Sequence, residues 1–438
     1  MRVRVTLSLG FASLCFVQSV LSSQLALRQQ CWHENTFLSV NFLSSADKNA
    51  QLVEYLGTYI SPSSSLPSPS LLRVQPQPEA DSEYFPWTHP PICTDILQSI
   101  NDKLCVYTNS SFANNRGISI FTTPKLSTSF ANLPAFQDPT AHADININSD
   151  MWITAELPGR GIGMTASRPL TFKDRITAYT PLFLAFMESE LSTMEREKFW
   201  STAIQRLPME MHNMYLNLAK VYRIESVKYQ DVVKANAFQV EVDGANHLAL
   251  FPETSRFNHD CAPSAQYVID PEFLTHTVHA TRPIEKGEEI TIAYTSPLTP
   301  TPERQSLLKS GFHFTCTCAR CTNASKTDAT FASMQTMQAA LNDWSSTSKG
   351  SPQLAEQLLQ MYRDEGLEGF MDVPYGFAAL AWNAVGRADK ALEYAALAKE
   401  AVLLKDWKGA SGSLNIWEEL LEDCRTHWSW NLRPARWV

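Results

Sequence analysis

The chain has no excess of basic residues: 36 Lys and Arg stand against 45 Asp and Glu, a formal net charge of −9. Its sequence pI is near 5.6. A general nucleic-acid binder needs a cationic surface to neutralise phosphates, so that class is excluded and no direct nucleic-acid partner is expected. An acidic surface does attract a basic peptide. Beyond the first residues, no apolar run reaches the ~20 residues needed to span a bilayer, and no membrane span is expected. The segment 188–236 contains no cysteine, which excludes a zinc finger there. The glycine-rich "LPGRGIGM" at 157–164 does not open a helix after a strand in a repeating βαβ unit, which argues against a dinucleotide-binding fold.

What is present describes a globular protein with a sizeable core: 44% hydrophobic and 18% charged residues over 438 positions, room for two or three domains. The N-terminus reads "MRVR", then "VTLSLGFASLCFVQSVL", then "SSQLA". A basic start, an apolar run and small residues predict a secretory signal over 1–23; a transit peptide or a buried first helix are the alternatives. Residues 24–150 form an N-terminal region. Within it, 24–60 are weakly helical and 61–91 are a linker rich in Pro and Ser, a composition that builds no core. Residues 92–150 read as a small disulfide-tied preface or as irregular chain.

From 151 the pattern changes to short β-rich runs broken by turns, continuing to about 300. A stretch of helical periodicity, 188–236, is inserted among them. Residues 301–325 carry a cysteine-rich segment, and 326–438 are helical. The run "VPYGFAALAWNAVGRADKALEYAALAKEAVLL" predicts two helices joined at "GRAD", with Ala378, Ala379, Ala391, Ala395 and Ala398 small enough for close packing. It resembles one tetratricopeptide-like hairpin; a plain helical hairpin is the alternative.

Nine cysteines are present. Cys15 lies in the signal-like segment. Cys316, Cys318 and Cys321 form C-T-C-A-R-C, three thiolates in one segment, and structural zinc takes four ligands. Cys31, Cys93, Cys105 and Cys424 allow three pairings in an oxidising compartment, or stay free thiols in a reducing one. Asn109 and Asn323 open glycosylation sequons, a short motif that carries little weight.

Four segments complete the picture: "LPGRGIGM", "SRFNHDCAPSAQY" at 255–267, "EKGEEITIAY" at 285–294 and "GFHFTCTCARC" at 311–321. In this order they resemble the G-R-G loop, N-H-x-C-x-P-N, G-E-E-x-x-x-x-Tyr and post-SET C-x-C-x-x-C motifs of SET-domain protein lysine methyltransferases. The likeness covers about 151–325. The aromatic run before the cysteines and the helical tail resemble the SET-and-MYND branch and its fungal relatives, without the MYND finger. The resemblance implies an α+β fold: a mainly β SET core of short sheets with a helical insert, a zinc-binding post-SET loop and an α-helical C-terminal lobe. It implies methyl transfer from S-adenosylmethionine to a protein lysine, histone or non-histone, by a monomer.

By the same resemblance, Cys261 joins Cys316, Cys318 and Cys321 as the fourth zinc ligand. Gly159, Arg160, Gly161, Ile162, Asn258, His259, Phe312 and Phe314 match cofactor contacts. Tyr294 matches the methyl-transfer tyrosine, and Tyr267 a second lysine-channel tyrosine. Taken singly, Phe312, Phe314 and Tyr294 have packing as the alternative reading. Three positions depart from the pattern: Asp260 stands for Ser, Ser264 for Asn and Ala293 for an acidic residue. Ser264 forms fewer hydrogen bonds than Asn, which predicts a looser crossing at the site. Asp260 and Ser264 also motivate a second reading, a SET fold kept as a non-catalytic binding module. A third is a secreted protein with the cysteine trio oxidised. The family points to cytoplasm or nucleus, whereas the N-terminus points to the secretory pathway.

Overall fold

The computed structural model describes residues 83–407 and 413–433. The signal-like segment, Cys31, the weakly helical stretch and most of the Pro/Ser-rich stretch lie outside the described residues. Its strands are β1 (Ile92–Cys93), β2 (Cys105–Asn109), β3 (Ile118–Thr122), β4 (Trp152–Leu157), β5 (Gly161–Ala166), β6 (Arg175–Tyr179) and β7 (Phe183–Phe186). They continue as β8 (Ala237–Val242), β9 (Ala245–Leu250), β10 (Asn258–His259), β11 (Ala265–Asp270), β12 (Thr275–Ala280) and β13 (Glu289–Ile292).

These form three sheets, ordered β1-β2-β3-β7-β9-β8, β10-β13-β5-β4 and β11-β12-β6. Strands before and after residue 151 share the first sheet, because β3 pairs in parallel with β7. β2 and β3 are buried along their whole length, for a clear reason. Alternate side chains point to opposite faces of a strand. Val106, Phe121, Phe183 and Leu250 enter one cluster with the insert residues Trp200 and Tyr215. Tyr107, Ile120, Leu184 and Ala249 enter another with Phe112 and Phe130. Both faces are covered, so residues 105–122 are central sheet rather than a preface.

The end of the Pro/Ser-rich stretch also joins this core. Trp87 is buried, with its ring centroid 5.4 Å from those of Tyr107 and Phe136. A proline-rich composition disfavours regular elements but does not stop one aromatic from filling a gap. The β8–β9 hairpin turns on Asp243 and Gly244, with φ of 51° and 74°. Two successive positive φ values define the tight turn whose twist matches paired strands.

The insert forms helices Thr193–Gln205, Met209–Leu216 and Lys228–Asn236. Ser192 and Glu195 build a capping box at its start. Buried carboxylates then wire the helices together. Glu188 pairs with Arg196 at 2.5 Å, and Glu197 accepts from the backbone of Tyr229 at 2.8 Å. Asp231 accepts from the backbone N–H groups of Val221, Tyr222 and Arg223, fixing the loop between the last two helices.

After the cysteine-rich segment come helices Ala324–Asn342, Pro352–Asp364, Asp372–Ala384, Ala388–Leu403 and Ser413–Glu422. The "GRAD" turn places Gly386 at φ 76°, and the five alanines named above are fully buried. Gly376 is needed for close packing: a Cβ there would lie 2.5 Å from the Trp417 ring. No helix among the described residues is long and apolar enough to cross a membrane.

Candidate active site and metal centre

The site assembles on one parallel strand pair. β10 runs beside β13, with Asn258 opposite Thr291 and His259 opposite Ile292. β5 pairs with the other edge of β13, which brings the β4–β5 turn to the same place. At that turn Gly159 and Gly161 both have φ of 72°, a conformation costly for residues with a Cβ. Ile162 is exposed.

Arg160 turns inward from this hairpin. Its Nε lies 2.9 Å from Oε2 of Glu289, and its Nη2 donates to the His259 carbonyl at 2.9 Å. The Asn258 amide donates to Oε1 of the same Glu289 at 2.9 Å. One carboxylate thus holds both Arg160 and Asn258. Gly163 makes room for them: a Cβ there would sit 2.6 Å from Asn258 Nδ2.

His259 is buried and connects the strand pair to the cysteines. The Tyr294 N–H donates to its Nδ1 at 2.9 Å. An accepting Nδ1 places the ring proton on Nε2, which lies 3.3 Å from the Cys261 sulfur and donates to it. Burial holds the His259 pKa down to about 3, so the ring is neutral.

Cys261, Cys316, Cys318 and Cys321 bring their sulfurs within 4.8 Å of one another. The Cys261 and Cys321 sulfurs are 3.6 Å apart. A tetrahedral zinc with bonds near ~2.3 Å requires sulfurs about 3.8 Å apart, so the four residues fit the ion. The thiols of Cys261, Cys316 and Cys321 hydrogen-bond toward Cys318 and hold it far below the usual thiol range. The Gln305 side chain clamps the Cys316 backbone, accepting its N–H at 3.0 Å and donating to its carbonyl at 2.7 Å. Burial works against the Arg304 cation, but the neighbouring Cys261 and Cys321 sulfurs outweigh it and raise its pKa.

Tyr294, two residues beyond β13, sits in a group of rings. Its centroid lies 5.4 Å from His259, 4.8 Å from Phe312 and 6.4 Å from Phe314. Its hydroxyl donates to the Phe257 carbonyl at 2.5 Å. Burial raises the phenol pKa, which keeps it protonated. His313, between the two phenylalanines, has φ of 61° and meets the Tyr222 ring at 5.5 Å. Tyr267 stacks on His276 at 4.8 Å and meets Phe238 at 5.4 Å, and it packs against the same core cluster as Tyr294.

The departures from the family pattern are satisfied in place. Ser264 is fully buried, accepts from the Thr291 N–H at 3.1 Å and donates its own N–H to Thr291 Oγ1 at 3.3 Å. Its hydroxyl therefore ties β13 to the loop, which stands against the expected loosening. Asp260 accepts from the Ala262 N–H at 2.8 Å, and burial raises its pKa to about 6. Ala293 packs on the C-terminal helices. Of the remaining cysteines, Cys93 and Cys105 face each other across β1 and β2 in a disulfide, whereas Cys424 is a buried free thiol.

Sequence reasoning missed Glu289, Gln305, Arg304 and Arg320 as parts of this site. Glu289 was in view within G-E-E, but nothing in one sequence says which of two adjacent carboxylates turns inward.

Comparison with known proteins matches residues 161–295 to the SET domain. The chain is 28% identical over 173 residues to histone-lysine N-methyltransferase set5 of Schizosaccharomyces pombe, covering 40% of this chain and 51% of that protein. It is 26% identical over 180 residues to N-lysine methyltransferase SMYD2-B of Xenopus laevis, covering 39% and 40%. It is 33% identical over 99 residues to human N-lysine methyltransferase SMYD2, covering 22% of each. The alignments thus span about half or less of these relatives.

Proposed function

From the SET domain that this chain carries, we propose that it transfers a methyl group from S-adenosylmethionine to the side-chain amine of a protein lysine. The observation that carries the reading is convergence: Asn258, Arg160 and Glu289, the Tyr294 ring group and the four cysteines all meet around β10 and β13.

When bound, S-adenosylmethionine supplies a methyl group on a cationic sulfur. The chain's own residues have two tasks. The first is to receive a neutral amine. A lysine with pKa ~10.4 costs about 4–5 kcal/mol to deprotonate at pH 7. The partly buried ring group of Tyr294, Phe312 and Phe314 disfavours the charged form by limiting solvent. The second task is alignment. The Tyr294 phenol is protonated and committed to the Phe257 carbonyl, and its oxygen retains lone pairs to accept from an amine N–H. Fixing that oxygen converts binding into near-attack geometry. Asn258 and Arg160, held by Glu289, offer the donors that an amino-acid carboxylate requires. Zinc on Cys261, Cys316, Cys318 and Cys321 would be structural, since four thiolates leave no open position.

The non-catalytic reading drew on Ser264 and Asp260. Both make defined hydrogen bonds, and that motive weakens. The test uses the full chain with labelled S-adenosylmethionine and lysine-bearing proteins. Label should appear on lysine and fall at least ~100-fold for Tyr294→Phe. Calorimetry that finds no cofactor binding to zinc-replete protein overturns the proposal.

A further inference from the structure

Arg320 sits inside the C-A-R-C run, between two of the clustered cysteines, yet it is buried and serves as a joint. Its Nη1 donates to the Cys261 carbonyl at 2.8 Å and to the Pro297 carbonyl at 3.0 Å. Its Nε donates to Oε2 of Glu365 at 3.0 Å, and that carboxylate is only 10% exposed. Cys261 belongs to the loop that follows Asn258 and His259. Pro297 follows Tyr294 by three residues. Glu365 caps helix Pro352–Asp364 of the C-terminal lobe. One planar guanidinium therefore spans the metal-ligand loop, the chain after Tyr294 and the helical lobe. A lysine, with its single point of charge, cannot reproduce that fork. A second contact reinforces the joint: Gly366, at φ 69°, presses so close to Ala262 that a Cβ would sit 3.0 Å from the alanine methyl.

We infer that Arg320 is a positioning residue through which the seating of the C-terminal helices sets the shape of loop 258–262 and of the cysteine cluster. Glu365 is the lobe's half of the joint. Removing it leaves a buried cation without its partner, and the guanidinium then shifts or draws in water. Either response reaches the Cys261 carbonyl directly. The coupling rests on geometry alone. Its consequence for cofactor binding deepens the proposed function and rests on it.

The experiment compares full-length protein with Glu365→Ala and Glu365→Gln. Three quantities are read below the melting transition: the rate at which iodoacetamide labels Cys261, followed by peptide mass spectrometry; the rate of zinc release to a chromophoric chelator; and the S-adenosylmethionine dissociation constant by calorimetry. Glu365→Ala should label Cys261 and release zinc about tenfold faster and bind cofactor about tenfold more weakly, the scale of one charge-assisted hydrogen bond. Glu365→Gln, whose amide oxygen still accepts from Arg320, should recover most of each. If Glu365→Ala does not fold, Glu365→Asp, one methylene shorter, carries the same readouts. A merely structural stitch would lower the melting temperature and leave all three quantities unmoved, which overturns the inference. If wild-type protein takes up neither zinc nor cofactor, the proposed function fails, while the Cys261 labelling rates still decide the coupling.

Discussion

The backbone N–H of Tyr294 donates to Nδ1 of His259 at 2.9 Å, and the opposite nitrogen of that ring faces the Cys261 sulfur at 3.3 Å. A neutral imidazole thus bridges Tyr294, just after β13, and the four-cysteine centre. Outer groups that hydrogen-bond to metal ligands orient them and tune metal affinity by about 10–100-fold.

His259→Ala removes both bonds and strands the Tyr294 N–H. Zinc affinity, measured by competition with a chelator, should fall about 10–100-fold. Stability should fall by about 1–3 kcal/mol for the buried N–H left without an acceptor. Unchanged zinc affinity would remove His259 from the metal site.

Glu289 holds Arg160 and Asn258 at once. Glu289→Ala leaves a guanidinium without countercharge and an amide without its acceptor. The S-adenosylmethionine dissociation constant should rise about tenfold by calorimetry. Tighter binding would mean that Glu289 competes with the cofactor for Arg160, and would reverse this assignment.

Ser264→Ala tests the crossing between the loop and β13. The Thr291 N–H loses its acceptor in a fully buried place, and urea unfolding should show a loss of about 1–3 kcal/mol. A variant as stable as wild type would show that the hydroxyl contributes nothing there.

Acid should unfold the protein through its buried histidines. Burial holds His247 down to about 4 and His276 down to about 3. In the unfolded chain each binds a proton near ~6.5. Between ~6.5 and ~4 the unfolded state therefore carries more protons, so stability falls as pH falls. Each such group contributes a slope approaching about 1.4 kcal/mol per pH unit, and His259 and His427, held to about 3 and 4, add to it in the same direction. His276 lies 4.5 Å from the Phe238 ring and 4.8 Å from that of Tyr267, so a phenyl ring suits its place. His276→Phe should lower the slope by about 1.4 kcal/mol per pH unit in urea titrations run across that range. An unaltered slope would exclude its share.

Much of the site is legible in the sequence because its residues come in short, ordered motifs. Three thiolates at C-x-C-x-x-C demand a fourth partner, and the resemblance supplies Cys261, which lies within 3.6 Å of Cys321. The helical insert is legible from periodicity. The role of 105–122 is not: a strand buried on both faces shows no alternation, and its parallel partner β7 lies some sixty residues away. Tyr267 illustrates a different limit. Sequence places it near the motif, but its ring neighbours His276 and Phe238 come from β12 and β8, and only the tertiary fold brings them to it. Arg320 reads as a surface cation in a loop, and only the tertiary fold supplies the carbonyls and carboxylate that make it a joint.

The parallel pairing of β3 with β7 has a practical consequence for cutting this chain. The recognised domain begins at residue 161, yet Ser119, Ile120 and Phe121 fill the edge of β7. A fragment starting at 161 would present Phe183–Phe186 as a bare hydrophobic edge, open to any other strand in solution. Such a fragment should precipitate or form oligomers. The smallest expression fragment to retain the sheet's native order starts before β1, early enough to keep Trp87.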